Sequence, residues 1–242
     1  MSERSVFVSK SVYPFFEEVH VNMDWFGGFA MSQKRKSQIS LHLNFLTRYP
    51  EHKILEISSA SLYSLGAKLS AMNLSKRTLR GCSCVESVFQ SSRIYSDGTR
   101  SIGPFPEFLF LPGKECKKRV KELSEGMHSN QYCFDGMTFF APSHHISQFY
   151  DYIYLNALLE EENLDVSNCL LQDGYCAFSD LATKSLNSQA RSAAIFVGLM
   201  KAGLINEVTI WSHICDYLER KKMDDPPTIQ LMKQFSCFVE GK

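Results

Sequence analysis

Three polar side chains within residues 82–98, CSCVESVFQSSRIYSDG, have the types and the spacing to hold a ligand. On one helix, Glu86, Gln90 and Arg93 fall at positions i, i+4 and i+7 and share a face. An apolar stripe with Val88 and Phe89 lies beside them. The polar face therefore borders the core, where a half-buried side chain still reaches a ligand. From spacing alone, the alternative is a solvated face with an internal salt bridge.

A second concentration of polar groups occurs in AFSDLATKSLNSQARSAA, residues 177–194. Asn187 and Arg191 lie four residues apart on the first turns of a helix predicted to be buried. Free N–H groups and the positive dipole end of such a helix suit a phosphate. The alternative is ordinary capping by Ser185 or Asn187, with Arg191 as a surface charge.

Aromatic and basic side chains flank the first of these groups in the chain. In WFGGF, Trp25 and Phe26 precede two glycines, which let a backbone approach a ligand while an aromatic ring stacks on a base. Aromatics buried at a strand end are the alternative. In QKRKS, Lys34, Arg35 and Lys36 form either a solvated cluster or a phosphate contact.

Composition limits the classes of function. The chain has 242 residues, 44% of them hydrophobic, and no linker-like segment divides it, so we expect one domain over residues 1–242. Lys+Arg and Asp+Glu number 26 each, which excludes a protein that coats nucleic acid through bulk charge.

Cysteine use and hydropathy predict a cytoplasmic protein without a membrane span or a metal. MSERSVFVSK lacks an apolar signal core, and the apolar runs are too short for a bilayer. The eight cysteines are then expected to be reduced thiols. Cys82 and Cys84 form a CxC without a partner pair at zinc spacing, and the adjacent His144 and His145 point apart on a regular element.

The secondary-structure pattern predicts a mainly α fold, α+β with small hairpins. A strand is expected within residues 15–26, a strand or helix lead-in at 53–59, and a type I′ hairpin at Asp135-Gly136. Ser32 is the expected N-cap of the first helix. The predicted helices span residues 32–48, 61–74, 82–95, 114–123, 145–161, 186–204 and 209–222, and a short C-terminal helix follows.

Several segments together resemble a known family. VESVFQSSRI is similar to the VEHYFQAQKF signature of the NADAR family, named for NAD and ADP-ribose, and LSAMN stands where that family has LSNF. The chain is more similar to the branch associated with DNA ADP-ribosyltransferase toxins. This resemblance is strongest over residues 22–205, with 206–242 as a C-terminal helical extension. The segments that carry it are WFGGFAMSQKRKSQISLH, LEISSASLYSLGAKLSAMNL, VESVFQSSRIY, QFYDYIYLNAL and AFSDLATKSLNSQARSAAIFVGLMKAGL.

The resemblance implies an ADP-ribosyl hydrolase with a compact single-domain, N-glycosidase-like fold and no cofactor. Such an enzyme removes ADP-ribose from guanine in nucleic acid, with DNA as the expected substrate. It acts as an antitoxin, or as a counter-defence, to an ADP-ribosyltransferase toxin. Its implied partners are ADP-ribosylated nucleic acid and ADP-ribose.

The resemblance also assigns roles to residues. Breaking a ribose–nitrogen bond builds positive charge at the anomeric carbon, which a carboxylate stabilises while a second acid protonates the base. Glu86 matches the signature glutamate and is the expected catalytic carboxylate, Asp180 is the second acid, and Gln90 positions a ribose hydroxyl. The other expected substrate contacts are Trp25, Phe26, Lys36, Ser58, Ser59, Asn73, Tyr150, Asp151, Lys184, Asn187, Gln189 and Arg191.

One departure from the signature leaves alternatives open. Arg93 replaces the signature lysine, and a guanidinium stays protonated and is a poor nucleophile, so it cannot replace a covalent amine. Either Arg93 serves as a cation while Glu86 does the chemistry, or Lys34, Lys36 or Lys184 supplies an amine, or the protein only binds ADP-ribose. A further alternative is an N-glycosidase for a small metabolite such as a riboflavin intermediate. SDLATKSLNSQ argues against that substrate because it lacks the glycine-rich motif of the riboflavin branch.

Overall fold

The computed structural model describes residues 2–12, 14–28, 30–140, 147–181 and 188–204. Their contacts group into two compact units. The first unit consists of residues 2–74 and 158–204, and the second of residues 75–157. The single domain expected over residues 1–242 stays a prediction. The helices predicted beyond residue 204 lie outside the described residues, as does the extension at 206–242.

Ten strands and seven α-helices occur within the described ranges. The strands are β1 (Ser2–Ser9), β2 (Phe16–Met23), β3 (Ile54–Glu56), β4 (Ser75–Thr78), β5 (Gly81–Cys84), β6 (Arg93–Ser96), β7 (Ser101–Ile102), β8 (His128–Phe134), β9 (Met137–Phe140) and β10 (Ala177–Ser179). The helices are α1 (Met31–Arg48), α2 (Ser64–Lys68), α3 (Val85–Ser91), α4 (Gly113–Leu123), α5 (Ser147–Leu158), α6 (Leu164–Gln172) and α7 (Gln189–Lys201).

The fold class is α+β, as expected, but sheets have a larger part in it than the predicted small hairpins. Two four-stranded sheets and one two-stranded sheet lie within the described residues. Strand β1 was not predicted, and its eight residues pair with β2 along their whole length. No helix in the described ranges is both long and apolar enough to cross a bilayer.

The sheet of the first unit has the order β2-β1-β10-β3, and only the β10–β3 pair is parallel. The predicted strand within residues 15–26 is confirmed as β2, where Val19, Val21 and Met23 are buried and alternate with exposed residues. These side chains form one core with Leu41 and Phe45 of α1. The helix predicted over residues 32–48 is thus confirmed as α1, but Ile39 and Leu43, whose helical spacing supported the prediction, are exposed.

Two helix predictions in the first unit need correction. Helix α1 begins at Met31 after Ala30, so Ser32 lies inside the helix and is not its N-cap. The helix predicted over residues 61–74 is confined to α2. The Asn73 side chain donates a hydrogen bond to the Ala67 carbonyl at 2.8 Å, so it satisfies a carbonyl near the helix end instead of continuing the helix.

The buried helix predicted over residues 186–204 is confirmed as α7. Ala190, Ala193, Ala194 and Val197 are all buried, as their spacing predicted. Farther along, a Cβ at Gly198 would collide with the carbonyl oxygens of residues 10 and 15, so only glycine fits this helix–loop contact. The helix starts after Ser188, whose side chain makes no capping hydrogen bond. The predicted caps at residues 185 and 187 lie outside the described residues.

The second unit contains the sheet β7-β6-β8-β9, the hairpin β4–β5, and helices α3, α4 and most of α5. The predicted hairpin turn is confirmed: Asp135 and Gly136 both have positive φ, at 48° and 82°, between β8 and β9. The helices predicted at 114–123 and 145–161 are confirmed as α4 and α5.

The helix predicted over residues 82–95 ends instead at Ser91, and Arg93 begins strand β6. The prediction of a shared helical face is therefore confirmed for Glu86 and Gln90 and wrong for Arg93. Tertiary hydrogen bonds end the helix, because the carbonyls of Ser91 and Ser92 accept the backbone N–H groups of residues 105 and 133, each at 2.7 Å. A Cβ at residue 103 would collide with the Arg93 carbonyl oxygen, and the chain has glycine there.

Candidate functional site

Helix α3 carries the signature glutamate on a short, fully buried segment. All seven of its residues are buried, and Glu86 lies in its first turn, where unpaired N–H groups favour a negative charge. The Ser87 hydroxyl donates a hydrogen bond to the Leu111 carbonyl at 2.7 Å, and the Cys116 thiol lies 3.7 Å from the Ser87 carbonyl oxygen. These contacts fix α3 against α4. Burial raises the pKa of that thiol to about 12, so it serves as a packing group.

Glu86 is held through one of its two oxygens. The Gln90 amide donates a hydrogen bond to Oε1 at 3.0 Å, and the Lys117 ammonium lies 3.4 Å from the same oxygen. The residue is only 6% exposed, whereas the Lys117 side chain is 60% exposed. Within the described ranges Oε2 makes no hydrogen bond. The arrangement leaves one carboxylate oxygen available to a ligand or a water molecule.

Arg93 is a half-buried cation seated on aromatic rings. Its guanidinium carbon lies 4.6 Å from the ring centre of Tyr95 and 5.8 Å from that of Phe89. Nη1 is 3.5 Å from the Gln90 side-chain oxygen, at the limit of a hydrogen bond. Within the described part of the chain, Arg93 pairs with no carboxylate, and its buried Nε has no hydrogen-bond partner.

Tyr132 stands opposite Arg93 on the neighbouring strand β8. The side chain is fully buried, and among the described residues its hydroxyl finds no partner. Burial raises the pKa of Tyr132, and the positive charge of Arg93 only partly opposes this effect. The phenol therefore remains a protonated donor beside an unpaired guanidinium.

A cleft of about 600 Å³ opens over Gln90 and Arg93. Its volume is in the range of pockets that hold nucleotide-sized ligands. Helix α4 and the turn after it form one wall. The charged residues of the lining are Arg93, Lys117, Lys118, Lys121, Glu122 and Glu125.

Tyr150 and Asp151, both predicted substrate contacts, are buried on α5 in the same unit. The Tyr150 ring meets Phe89 edge-on at 5.1 Å between ring centres, and Phe149 lies 6.2 Å from Phe89. Helix α5 thus supports α3 from its apolar side. A direct contact of Tyr150 or Asp151 with substrate stays a prediction.

The first unit contains its own buried carboxyl group, Glu56, at the end of β3. Its Oε2 accepts the Ser179 hydroxyl at 2.5 Å and its Oε1 accepts the Leu181 backbone N–H at 3.0 Å. These two bonds flank Asp180, so Glu56 fixes the backbone on both sides of the predicted second acid. Ser58, a predicted contact, is also buried and hydrogen-bonds Glu56.

His42 extends this hydrogen-bonded chain, with Nε2 at 2.9 Å from the Ser179 oxygen. Because the Ser179 hydroxyl donates to Glu56, it accepts from His42, which assigns the proton to Nε2. Burial lowers the pKa of His42 to about 4. Burial also raises the pKa of Glu56, against its hydrogen bonds to Ser179, Leu181 and Ser58, so for both groups burial acts against the charged form.

The remaining predicted contacts of the first unit differ in exposure. Ser59, Asn73, Trp25, Phe26 and Lys36 are exposed, and Lys36 lies 6.0 Å from the Phe26 ring centre. Gln189 is buried, its side-chain oxygen accepts the Ala71 N–H at 2.7 Å, and Arg191 is half-buried. Lys184 and Asn187 lie outside the described residues.

Sequence reasoning missed Glu56, Lys117 and Lys121. Glu56 occupies a strand of three buried residues, too short for alternation to mark it, although a glutamate between buried apolar residues is itself a signal. Lys117 and Lys121 are one helical turn apart, next to the buried face of Cys116 and Val120. That spacing was the feature of the sequence from which two lysines on one side of α4 could have been predicted. The described residues contain no cluster of three or more side chains suited to hold a metal ion.

A comparison with models of protein families identifies a match. A family model described as NADAR-DarT1, a DarT1-associated NADAR antitoxin, matches residues 2–226. That range covers nearly the whole chain and includes both units. The search of curated proteins finds no match.

Proposed function

The chain belongs to the family of DarT1-associated NADAR antitoxins, and on that premise we propose that it is an ADP-ribosyl hydrolase that removes ADP-ribose from guanine in DNA. Such an activity reverses the modification made by a DarT-type ADP-ribosyltransferase toxin. The single observation that carries the proposal is the state of Glu86. This buried carboxylate is fixed through Oε1 by Gln90 and Lys117, while Oε2 takes part in no hydrogen bond within the described ranges.

The reaction breaks the bond between the ribose anomeric carbon and a guanine nitrogen. As that bond lengthens, positive charge develops on the ribose, and a fixed carboxylate stabilises it. Glu86 fills this role and takes a proton from the attacking water through Oε2. The products are ADP-ribose, which gains the hydroxyl of the water, and unmodified guanine, whose nitrogen gains a proton as the bond breaks. Asp180 keeps its predicted role as the second acid on the resemblance alone.

The supporting side chains limit how Glu86 moves. The Gln90 amide orients the carboxylate, and its remaining hydrogen-bonding capacity suits a ribose hydroxyl. The Lys117 ammonium compensates the negative charge of a carboxylate that is largely withdrawn from water. Arg93 acts as a cation, because a guanidinium at this position cannot form a covalent adduct with the ribose.

A second candidate function is a binding module that recognises ADP-ribose without releasing it. The observation in its favour is Arg93, which stands in place of the lysine of the family signature. In this alternative the cleft binds the ligand and Glu86 serves only to hold a ribose hydroxyl.

A turnover assay distinguishes the two functions. The protein is incubated with an oligonucleotide that carries ADP-ribosylated guanine, and release of ADP-ribose is followed by mass spectrometry. We expect release by the wild type and a loss of at least about 100-fold in the Glu86→Gln variant, the usual scale for removing a catalytic acid or base. Glu115→Gln is the matched control, because Glu115 is an exposed glutamate of α4 outside the cleft.

The outcomes separate cleanly. Binding of free ADP-ribose without any release from the oligonucleotide would favour the binding module. Release that survives in Glu86→Gln would remove Glu86 from the mechanism.

A further inference from the structure

We infer that the cleft between β6 and α4 is the binding site for the diphosphate of ADP-ribose, with Arg93 and Lys121 as its principal cations. This inference deepens the proposed function and rests on it for the identity of the ligand. It moves the diphosphate from the start of α7, where the sequence predicted it, to the second unit.

The charged side chains of the cleft favour the binding of an anion. Its lining contains four cations, Arg93 and three lysines of α4, against two carboxylates, Glu122 and Glu125. Lys118 already pairs with Glu122 at 3.8 Å. Among the described residues, Arg93 and Lys121 form no ion pair, and the four cations of the lining outnumber its two carboxylates, Glu122 and Glu125, so the cleft keeps a net positive charge.

Buried polar atoms next to Arg93 provide a second, independent observation. The Arg93 Nε is buried without a hydrogen-bond partner, and the same holds within the described ranges for the hydroxyl of the fully buried Tyr132. Buried donors are nearly always satisfied in folded proteins. A planar guanidinium is suited to bind two oxygens of a phosphate at once. An anion at this point would supply the missing acceptors.

The position of the cleft relative to Glu86 selects a diphosphate attached to a ribose. Lys117 lines the cleft and also contacts Glu86 at 3.4 Å, while Gln90 lines it and hydrogen-bonds Glu86 at 3.0 Å. In ADP-ribose, only the sugar ring and one methylene group separate the reacting carbon from the diphosphate. A ribose at Glu86 thus places its diphosphate in the cleft. The volume of about 600 Å³ is sufficient for that group.

The α7 start is a weaker candidate for the same group. The side-chain oxygen of Gln189 there accepts the Ala71 N–H at 2.7 Å, so Gln189 connects α7 to the turn after α2. The phosphate-binding role predicted for Gln189 therefore competes with a structural one.

Calorimetric titration of ADP-ribose into the full chain tests the assignment. We expect Arg93→Gln to weaken binding by about tenfold or more, the scale of one lost charge-assisted hydrogen bond, and Lys121→Gln by a smaller factor. Lys121 is exposed on α4, so that variant folds normally, and Lys121→Arg should restore binding. Lys114→Gln is the control, because Lys114 is an exposed lysine of α4 outside the cleft lining.

Three results would overturn the assignment. One is wild-type affinity for ADP-ribose in both Arg93→Gln and Lys121→Gln, or no binding by the wild type. Another is an equal loss in Lys114→Gln, which would indicate a general effect of charge. The third is weakened binding of an unmodified oligonucleotide with unchanged ADP-ribose affinity, which would indicate that the cleft holds backbone phosphates.

The same titration separates this inference from the proposed hydrolase. A protein that binds ADP-ribose through the cleft and releases none from the modified oligonucleotide would contradict the hydrolase and support the cleft. An active hydrolase whose cleft variants bind ADP-ribose normally would contradict the cleft alone.

Discussion

Among the described residues, each unit of the molecule buries one glutamate, and the two have different surroundings. Glu56 in the first unit is 2% exposed, and hydroxyl and N–H donors engage both of its oxygens. No cation of the described residues forms an ion pair with it. Glu86 in the second unit is 6% exposed, pairs with Lys117, and keeps one oxygen without a hydrogen bond within the described ranges.

The comparison indicates that two glutamates of similar burial differ in the groups that contact their oxygens. Burial raises the pKa of Glu56, and its neighbours use its hydrogen-bonding capacity to fix the backbone around Asp180. Glu86 instead lies next to an ammonium group and a cleft. We therefore expect changes at Glu56 to act mainly on stability and changes at Glu86 mainly on turnover.

The largest stability effect is expected for Glu56→Ala. The change leaves the Ser179 hydroxyl and the Leu181 N–H buried without their acceptor, and it opens a cavity. We expect the free energy of unfolding to fall by about 3 kcal/mol or more, measured by denaturant titration. Glu115→Ala, which removes an exposed i,i+4 pair, is the control and should change it by less than about 0.5 kcal/mol. Equal effects of the two variants would refute a structural role for Glu56.

Acid should destabilise the first unit through His42. The pKa of His42 is about 4 in the folded chain, against 6.5 for an unperturbed histidine, so the unfolded chain binds a proton that the folded chain does not. This contribution to stability is fully present above pH 6.5 and is lost as the pH falls through about 4. Glu56 has the opposite effect on the free energy of unfolding. Its raised pKa stabilises the folded chain at pH values below the ordinary pKa of glutamate, and this stabilisation is lost as the pH rises.

The difference between the wild type and His42→Gln isolates the histidine. Between pH 6.5 and 4 we expect the wild type to lose up to about 3 kcal/mol more unfolding free energy than the variant. Denaturant titrations at a series of pH values measure it. If the free energies of unfolding of the two proteins changed with pH in parallel, the conclusion that His42 is neutral in the folded chain would be wrong.

Lys117→Gln should affect turnover more than stability. Its ammonium is largely exposed, so we expect the free energy of unfolding to change by at most about 1 kcal/mol. The rate of ADP-ribose release should fall by about tenfold, because Glu86 loses the charge that accompanies it. Single-turnover assays and thermal unfolding of the same preparations make the comparison. A loss of stability with normal turnover would mean that Lys117 stabilises the fold, as the partners of Glu56 do, and has no part in turnover.

The smallest effect is expected for Arg119→Gln. Arg119 pairs with Glu115 at 3.4 Å on the exposed side of α4, outside the cleft. We expect less than about 0.5 kcal/mol in unfolding free energy and unchanged release of ADP-ribose. A larger effect on release would mean that all cations of α4 act together, and not only those that line the cleft.

The sequence predicted the elements whose local pattern is strong. The alternation of β2, the period of α7, and the Asp135-Gly136 turn are local properties that the fold preserves. The helix through Arg93 was wrong because tertiary hydrogen bonds to residues 91 and 92 end α3. Those donors are distant in sequence, so local periodicity contains no information about them.

The candidate site was predictable where local spacing and the family signature agree. Helical spacing placed Glu86 and Gln90 on one face, the resemblance assigned their roles, and the structure joins them by a hydrogen bond. Lys117 was not predicted, because a lysine on a charged helix gives no indication of the carboxylate that it meets in the folded chain. Glu56 was missed because its partner Ser179 is 123 residues away.

The most direct test is the single-turnover rate of ADP-ribose release for Glu86→Gln and Glu56→Gln, measured side by side at a temperature where both variants are folded. The account predicts that Glu86→Gln loses at least about 100-fold in rate and that Glu56→Gln keeps a rate within a few-fold of the wild type. Loss of release in Glu56→Gln together with normal release in Glu86→Gln would contradict it, and the catalytic carboxylate would then belong to the first unit.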